Sequence, residues 1–267
     1  MMKTSFTYKS YKIVDKEESA PDTVLFTLAS KLKFEPGQFV RVSLPGIGEA
    51  TFVPCSNPSN INKFQLLIRA CGNTTNRLVE LLPGDSMLIR GPYGKGWPVG
   101  KLIGKNVLII TGGLGIVPLR PLIFELLKYK KEFKKISILS GFRSPDCVLF
   151  ENDFKKLSTA VNYLKVACEK SNKNWWGETA MTADLIKNMK LSSKDTVALI
   201  CGPEIMFKFC IDELARKKIA SKNIYLSFER RMECGIGVCQ HCNIGKFLIC
   251  KDGPVFRWDK IKPELSK

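Results

Sequence analysis

The stretch KNVLIITGGLGIVPLRPLIFELLKYKK, residues 105–131, decides the fold class. Val107–Thr111 is an unbroken apolar run, the pattern of a strand covered on both faces. A glycine-rich turn follows at once. Leu119, Leu122, Ile123, Leu126 and Leu127 then recur at helical spacing, predicting a helix over Leu119–Lys131. Strand, tight turn and helix make the opening of a parallel α/β unit. Downstream the alternation continues. Strands are expected at Ile136–Gly141, Tyr163–Cys168, Val197–Cys201 and, last, Ile224–Phe228. Helices are expected at Phe150–Leu157, Ala183–Met189 and from Pro203 to about Lys218. This predicts a parallel sheet with helices on both faces.

Upstream the pattern changes. Residues 8–100 carry short β-rich runs at Tyr8–Asp15, Thr23–Ala29, Gln38–Ser43, Phe64–Arg69 and Ser86–Arg90. Pro36-Gly37, Pro45-Gly46, Asn57-Pro58 and Pro83-Gly84 punctuate them. Many short strands between Pro/Gly turns predict a small barrel or sandwich. Only Leu78–Leu82, after Thr75, reads as a helical turn or two.

The chain has 267 residues, enough for two domains and a small appendage, and 45% hydrophobic residues support real cores. The start, MMKTSFTYKSYK, lacks an apolar signal region, and no run of eighteen uncharged apolar residues predicts a transmembrane segment. Six cysteines (55, 71, 147, 168, 201 and 210) are scattered without pairing logic, which suits a reducing cytoplasm. The formal charge is +17, but the lysines are spread along the chain without interleaved aromatics. That predicts no nucleic-acid partner and is compatible with an acidic protein partner.

The other four cysteines are patterned: Cys234-x4-Cys239-x2-Cys242-x7-Cys250. The C-x4-C-x2-C…C order is the plant-type spacing for a [2Fe-2S] cluster, with Gly235 and Gly237 letting the loop bend around it. Structural zinc is the competing reading of four close cysteines. A Rieske centre needs two histidines and His241 is the only one. A cluster would make the chain a carrier of single electrons.

Thr111–Pro118, between the first α/β strand and its helix, would let backbone N–H groups approach a diphosphate; the competing reading is a tight βα turn. Cys201-Gly202-Pro203 repeats this at another strand end, where the Cys201 thiol is expected to face the ligand crevice unless it is simply a small buried residue. Arg69–Thr75 ends a strand and starts a short helix that could hold a second phosphate. Thr51–Ser56 could wall a flat ring, unless both are ordinary strand and cap chemistry.

The order β-barrel, R-x-x-G-x-x-T, RGPYG, GGxGxxP, CGP and four-cysteine loop resembles the ferredoxin–NADP reductase superfamily. Within it, LPGIGEATF, GGLGIVPLRPLI, CGPEIM and ERRMECGIGVCQHCNIG are similar to the gamma subunits of cytosolic nickel–iron sulfhydrogenases and to the iron–sulfur flavoprotein subunit of anaerobic sulfite reductases. The electron-transfer subunit of dihydroorotate dehydrogenase is similar but more distant. The seven residues before Cys250 lean slightly towards the sulfite reductase relative.

The resemblance implies a β + α/β fold: an antiparallel β-barrel FAD domain (1–100), a parallel-sheet nucleotide-binding domain (101–229) and a C-terminal [2Fe-2S] segment (230–267). It places FAD near Thr51, Phe52, Val53 and Pro54, near Leu67, Ile68 and Arg69, and near Gly72, Thr74 and Thr75. It places NAD(P)(H) on Gly112, Gly113, Leu114, Gly115 and Pro118, with Arg143 towards the adenosine and Cys201, Gly202 and Pro203 at the nicotinamide. Of these Cys201 is the candidate catalytic residue. Cys234, Cys239, Cys242 and Cys250 would hold the cluster. One departure stands out: Thr51 replaces a basic residue or proline, and Val53 a hydroxyl residue, on the flavin-facing strand, leaving Thr51 or Ser56 to supply the hydroxyl. The implied role is to pass electrons between NAD(P)H, FAD and cluster to or from a hetero-oligomeric redox complex, with a hydrogenase or sulfite reductase partner. A dihydroorotate dehydrogenase partner, or a zinc-stabilised module without redox function, are the alternatives.

Overall fold

The structure, a computed structural model, describes residues 6–265. The first half is β1 (Lys9–Ala20), β2 (Thr23–Ala29), β3 (Phe39–Leu44), β4 (Gly48–Phe52), β5 (Lys63–Arg69) and β6 (Ser86–Tyr93). They pair antiparallel in the order β4-β3-β6-β1-β2-β5. Just past β4, Pro54 bridges Leu66 of β5, so the two edges meet and the sheet closes into a barrel. Side chains alternate along each strand, and Phe26, Leu28, Val40, Val42, Leu66 and Ile68 fill the interior. Helix α1 (Asn73–Glu80) packs on it through buried Leu78. The sequence reading places a strand at Thr51–Ser56, but pairing runs over 48–52. The β3–β4 hairpin sets this register, Leu44 opposite Gly48 and Val40 opposite Phe52, and overrides the weak strand preference of Gly48 and Glu49.

The second half holds β7 (Asn106–Gly112), β8 (Lys135–Phe142), β9 (Tyr163–Cys168), β10 (Glu178–Thr179), β11 (Thr196–Cys201) and β12 (Ile224–Ser227). A two-stranded hairpin, β13 (Asn243–Ile244) with β14 (Phe247–Leu248), follows, and β15 (Val255–Arg257) rejoins the large sheet. Its order is β10-β9-β8-β7-β11-β12-β15, parallel except for the antiparallel last strand. Ile224–Phe228 is therefore not the last strand; Val255–Arg257 pairs with β12 and returns the cysteine segment to the sheet. The linking helices are α2 (Ile116–Lys128), α3 (Glu151–Ala160), α4 (Thr182–Lys187) and α5 (Glu204–Arg216), with α6 (Ile249–Asp252) and α7 (Trp258–Leu265) near the C-terminus. Helix α2 starts three residues before the expected Leu119. Pro118 fits its first turn, where an N–H would have no helical partner.

Along β7, Val107 and Ile109 face one core cluster, and Leu108 and Ile110 the other. Two-sided burial explains the unbroken apolar run. Leu25, Cys55, Leu67 and Trp97 from the barrel side join the first cluster, so barrel and parallel sheet share a core. Each such buried large side chain contributes about 1.5–3 kcal/mol. Among the described residues no helix is long and apolar enough to cross a membrane.

Candidate cofactor sites at the sheet crevice, the barrel and the cysteine loop

In the large sheet the chain runs β7, β8, β9 outward on one side and β11, β12 on the other, so the strand order reverses between β7 and β11. Ligands bind at such a reversal, at the carboxyl ends of the strands. Gly112–Gly115 and Cys201–Pro203 lie there. A side chain on Gly115 would put its Cβ 2.0 Å from the Cys201 carbonyl oxygen, so the two turns pack backbone to backbone. Gly113 has φ +53, and a Cβ there would meet nothing within 4 Å. Its open backbone forms a cradle suited to a diphosphate. Gly112, Gly113, Arg143 and Pro203 line a cavity of about 490 Å³. Met181, Lys187, Phe209 and Arg216, which the sequence reading did not single out, also line it; Met181 immediately precedes α4, the others lie in α4 and α5, and none carries a motif.

Other expected residues sit behind this cavity. Pro118 is buried and its carbonyl accepts the Trp97 indole N–H at 3.1 Å, making it part of the joint to the barrel. Cys201 is 2% exposed, and burial, with the Glu229 carboxylate beside it, pushes its thiol up to about 12. The expectation that this thiol opens into the crevice is corrected. The strand's alternation turns the Cys201 side chain into the core cluster that holds Val197 and Leu199, as a neutral thiol. Glu229, just past β12, is a group the sequence reading missed. The residue is exposed, yet partial desolvation of its carboxyl raises it above the usual value, opposed by Arg69 and reinforced by Glu204.

On the barrel, Thr51 is the last residue but one of β4, and its hydroxyl accepts from Arg41 Nη1 at 2.7 Å. Ser56 is buried, and its hydroxyl accepts the Gln65 N–H at 3.2 Å. Both hydroxyls that could replace the missing one at Val53 thus already have protein partners. Phe52 packs on the barrel core, and Val53 on the core cluster that also holds Cys242 and Cys250. Ile68 points into the barrel, whereas Leu67 joins the shared core and Arg69 is exposed. Ile68 therefore offers a surface cofactor its backbone rather than its side chain. At the start of α1, a Cβ on Gly72 would meet nothing within 4 Å, so the first turn is open for an anion. The Thr75 hydroxyl is used locally, accepting the Cys71 and Gly72 N–H groups at 3.0 Å.

The cysteine loop leaves β12 and crosses the barrel. Cys234 Sγ receives three backbone N–H groups, from Ile236 (3.5 Å), Val238 (3.3 Å) and Cys239 (3.4 Å). Burial raises its thiol, but these donors outweigh it and leave the group at about 6. Such a nest of N–H groups suits a thiolate ligand. Cys242 Sγ receives the Cys250 N–H at 3.4 Å. Burial first, then Cys242, pushes the Cys250 thiol up to about 12. The thiols therefore fall into two neighbouring pairs, Cys234 with Cys239 and Cys242 with Cys250. Among the described residues no three Cys, His, Asp or Glu side chains gather around one metal ion.

The barrel and the cysteine loop meet at a largely buried network absent from the sequence reading. Glu49 of β4 accepts from Arg41 Nη2 (2.8 Å), Arg90 Nε (2.7 Å) and Arg90 Nη2 (3.0 Å). Burial works against the Glu49 charge, but Arg90 and Arg41 hold its carboxyl below the usual value. A second joint is Arg120 of α2, which donates to the Cys55 carbonyl (2.8 Å) and Gln65 Oε1 (3.0 Å) of the barrel and to Asp153 of α3 (2.6 Å).

Three family models match successive parts of the chain. Residues 10–97 match the oxidoreductase FAD-binding domain family, residues 109–212 the oxidoreductase NAD-binding domain family, and residues 229–262 the iron-sulfur cluster binding domain of dihydroorotate dehydrogenase B. Sulfhydrogenase 1 subunit gamma of Pyrococcus furiosus is 37% identical over 86% of this chain and 82% of its own length. The chain belongs to this family of ferredoxin–NADP reductase-like electron-transfer subunits. Another member, a probable dihydroorotate dehydrogenase B (NAD(+)) electron transfer subunit of Thermococcus kodakarensis, is 33% identical over 94% of this chain and 98% of its own. Among solved structures, a chain of the NADH-dependent reduced ferredoxin–NADP oxidoreductase superposes with a TM-score of 0.75 at 26% identity, covering 98% of this chain and 95% of that one. The protein is thus an oxidoreductase subunit of the electron-transfer kind, with FAD-binding, NAD-binding and iron–sulfur-binding domains in that order.

Proposed function

We propose that this subunit is the NAD(P)(H)-facing arm of a cytoplasmic hetero-oligomeric redox complex, with FAD on the barrel, NAD(P)(H) in the sheet crevice and a [2Fe-2S] cluster on Cys234, Cys239, Cys242 and Cys250. Its partner is read as a hydrogenase or an anaerobic sulfite reductase module. The single observation that carries the reading is Arg41. Its Nη1 donates both to Thr51 on the flavin-facing strand and to the Met232 carbonyl at the head of the cysteine loop, so the two sites share one guanidinium.

When bound, the nicotinamide supplies or takes a hydride, the flavin converts an electron pair into single electrons, and the cluster carries them one at a time. The residues present fit these groups. Gly113 and the start of α1 offer open backbone to two diphosphates. Cys234 with Cys239 and Cys242 with Cys250 would hold an iron–sulfur cluster as two thiolate pairs, and it would supply one-electron transfer there. Arg120 and Trp97 hold the nucleotide sheet against the barrel, fixing the distance between the two binding surfaces. Burial of Cys201 keeps a titrating thiol away from the crevice.

The sulfhydrogenase relative favours a hydrogenase partner. A dihydroorotate dehydrogenase partner is the second reading, favoured by the family matched at residues 229–262. Anaerobic purification from the native host, with mass spectrometry of the partners and a visible spectrum, tests both. A hydrogenase or sulfite reductase catalytic subunit in a brown complex is expected. A dihydroorotate dehydrogenase catalytic subunit would select the second reading, and a colourless protein without partners would overturn the proposal.

A further inference from the structure

Two barrel arginines reach the cysteine loop. Arg41 of β3 and Arg90 of β6 lie opposite each other in register, and their side chains are 4% and 3% exposed. Like charges on adjacent strands repel, and burying them is costly. Glu49 bridges the two, but one carboxylate cannot neutralise two guanidiniums. The remaining donors point at the loop: Arg41 Nη1 to the Met232 carbonyl (2.6 Å) and Arg90 Nη1 to the carbonyl of Cys234 itself (2.7 Å). Arg41 Nε is fully buried with no acceptor among the described residues, so one donor of this guanidinium is left unpaired beside the loop. The Arg41 stem lies under Gly235: a Cβ there would come within 3.2 Å of Arg41 Cγ and 3.4 Å of Cδ, at φ +73. Neutral amide side chains could hold two carbonyls at lower desolvation cost, so a mechanical role alone does not account for two buried cations.

We propose that Arg41 and Arg90, half-neutralised by Glu49, are positioning residues that clamp the Met232–Cys234 backbone to the Thr51 strand and, through their surplus positive charge, favour the reduced state of the cluster that Cys234 helps to hold. The inference rests on the cluster assignment above. Reduction adds one electron, hence one negative charge, to the group beside these guanidiniums. Net charge and burial are what set the potential of an iron–sulfur centre.

The test is a redox titration followed by electron paramagnetic resonance on anaerobically purified holoprotein, comparing wild type with Arg41→Met, Arg41→Lys and Glu49→Gln. Arg41→Met should lower the reduced-to-oxidised ratio at fixed potential about tenfold, which is about 59 mV for one electron. Arg41→Lys, which keeps the charge, should restore most of that ratio. Glu49→Gln removes the counter-charge and should shift the potential the opposite way. A loop that is merely loosened would move both neutralising variants in the same direction, and that result overturns the proposal. So do titrations of both that stay within about twofold of wild type, a difference of under 20 mV. If Arg41→Met loses its cluster, Glu49→Gln decides alone: an upward shift supports the proposal and no shift overturns it. Wild-type protein with no cluster signal would instead overturn the cluster assignment, and this inference with it.

Discussion

Single residues here carry charge that the fold has to compensate, and Glu49 shows the balance. It is the one carboxylate between two buried guanidiniums, so Glu49→Ala leaves both uncompensated and should destabilise the apo-protein by about 3–5 kcal/mol, read as a loss of melting temperature. Its pH dependence has a definite sign. The folded carboxyl sits below its ordinary value of 4.5, so its contribution is fully present above pH 4.5 and is lost as pH falls through the folded value. A Glu49→Gln variant should therefore differ most from wild type in melting temperature above pH 4.5, with the gap closing in acid; a gap that is constant with pH contradicts this linkage. The sequence held a faint trace of the network. Arg41 interrupts the apolar run Phe39-Val40-Arg41-Val42, and a charge inside an otherwise buried strand calls for a partner. What the sequence could not show was that the partner lies on the next strand, or that a carbonyl 191 positions along the chain completes it.

At the scale of elements, local grammar was legible wherever two-sided burial or helical spacing left a long pattern. The β7–α2 unit, the strand Tyr163–Cys168 and the β11–α5 turn all follow from it. Elements set by tertiary pairing were not. β15 has three residues and exists because β12 offers an edge, and α7 carries Pro263, which argues locally against a helix. The βα turn at the crevice gives two predictions. Gly115→Ala forces a Cβ into the Cys201 carbonyl and should cost about 1–3 kcal/mol or more in thermal stability through overpacking. Gly113→Val meets open space but must hold a β-branched residue at φ +53 across the cradle. It should fold at a cost of about 1–2 kcal/mol for the left-handed backbone and lose NAD(P)H affinity by fluorescence titration. Unchanged affinity in that variant would move the diphosphate elsewhere.

For the whole molecule, a FAD-binding, a NAD-binding and an iron–sulfur-binding part were readable from motifs and their order, but not how they are joined. The joints are Arg41 and Arg90 between barrel and cysteine loop, and Arg120 and Trp97 between barrel and nucleotide sheet. Arg90 and Arg120 lie inside the RGPYG and GGLGIVPLRPLI stretches, but nothing in those motifs shows which distant groups they reach, because long-range hydrogen bonds leave no periodicity. If electrons run from nicotinamide through flavin to cluster, Cys239→Ser should remove the cluster and partner reduction while leaving flavin bleaching by NAD(P)H largely intact. Equal loss of both steps in a folded variant would contradict that order. The net charge of +17 also predicts that association with an acidic partner slows as salt rises, measurable as a falling association rate.

The most direct test of the central claim, that one chain joins a nicotinamide site to a four-cysteine iron–sulfur site, is an anaerobic NAD(P)H titration of the purified protein, followed optically and by electron paramagnetic resonance, with iron, sulfide and zinc measured on the same sample. The account predicts flavin bleaching together with the signal of one reduced cluster per chain, and iron and sulfide in equal amounts. Zinc in place of iron, with a spectrum that NAD(P)H leaves unchanged, would contradict it.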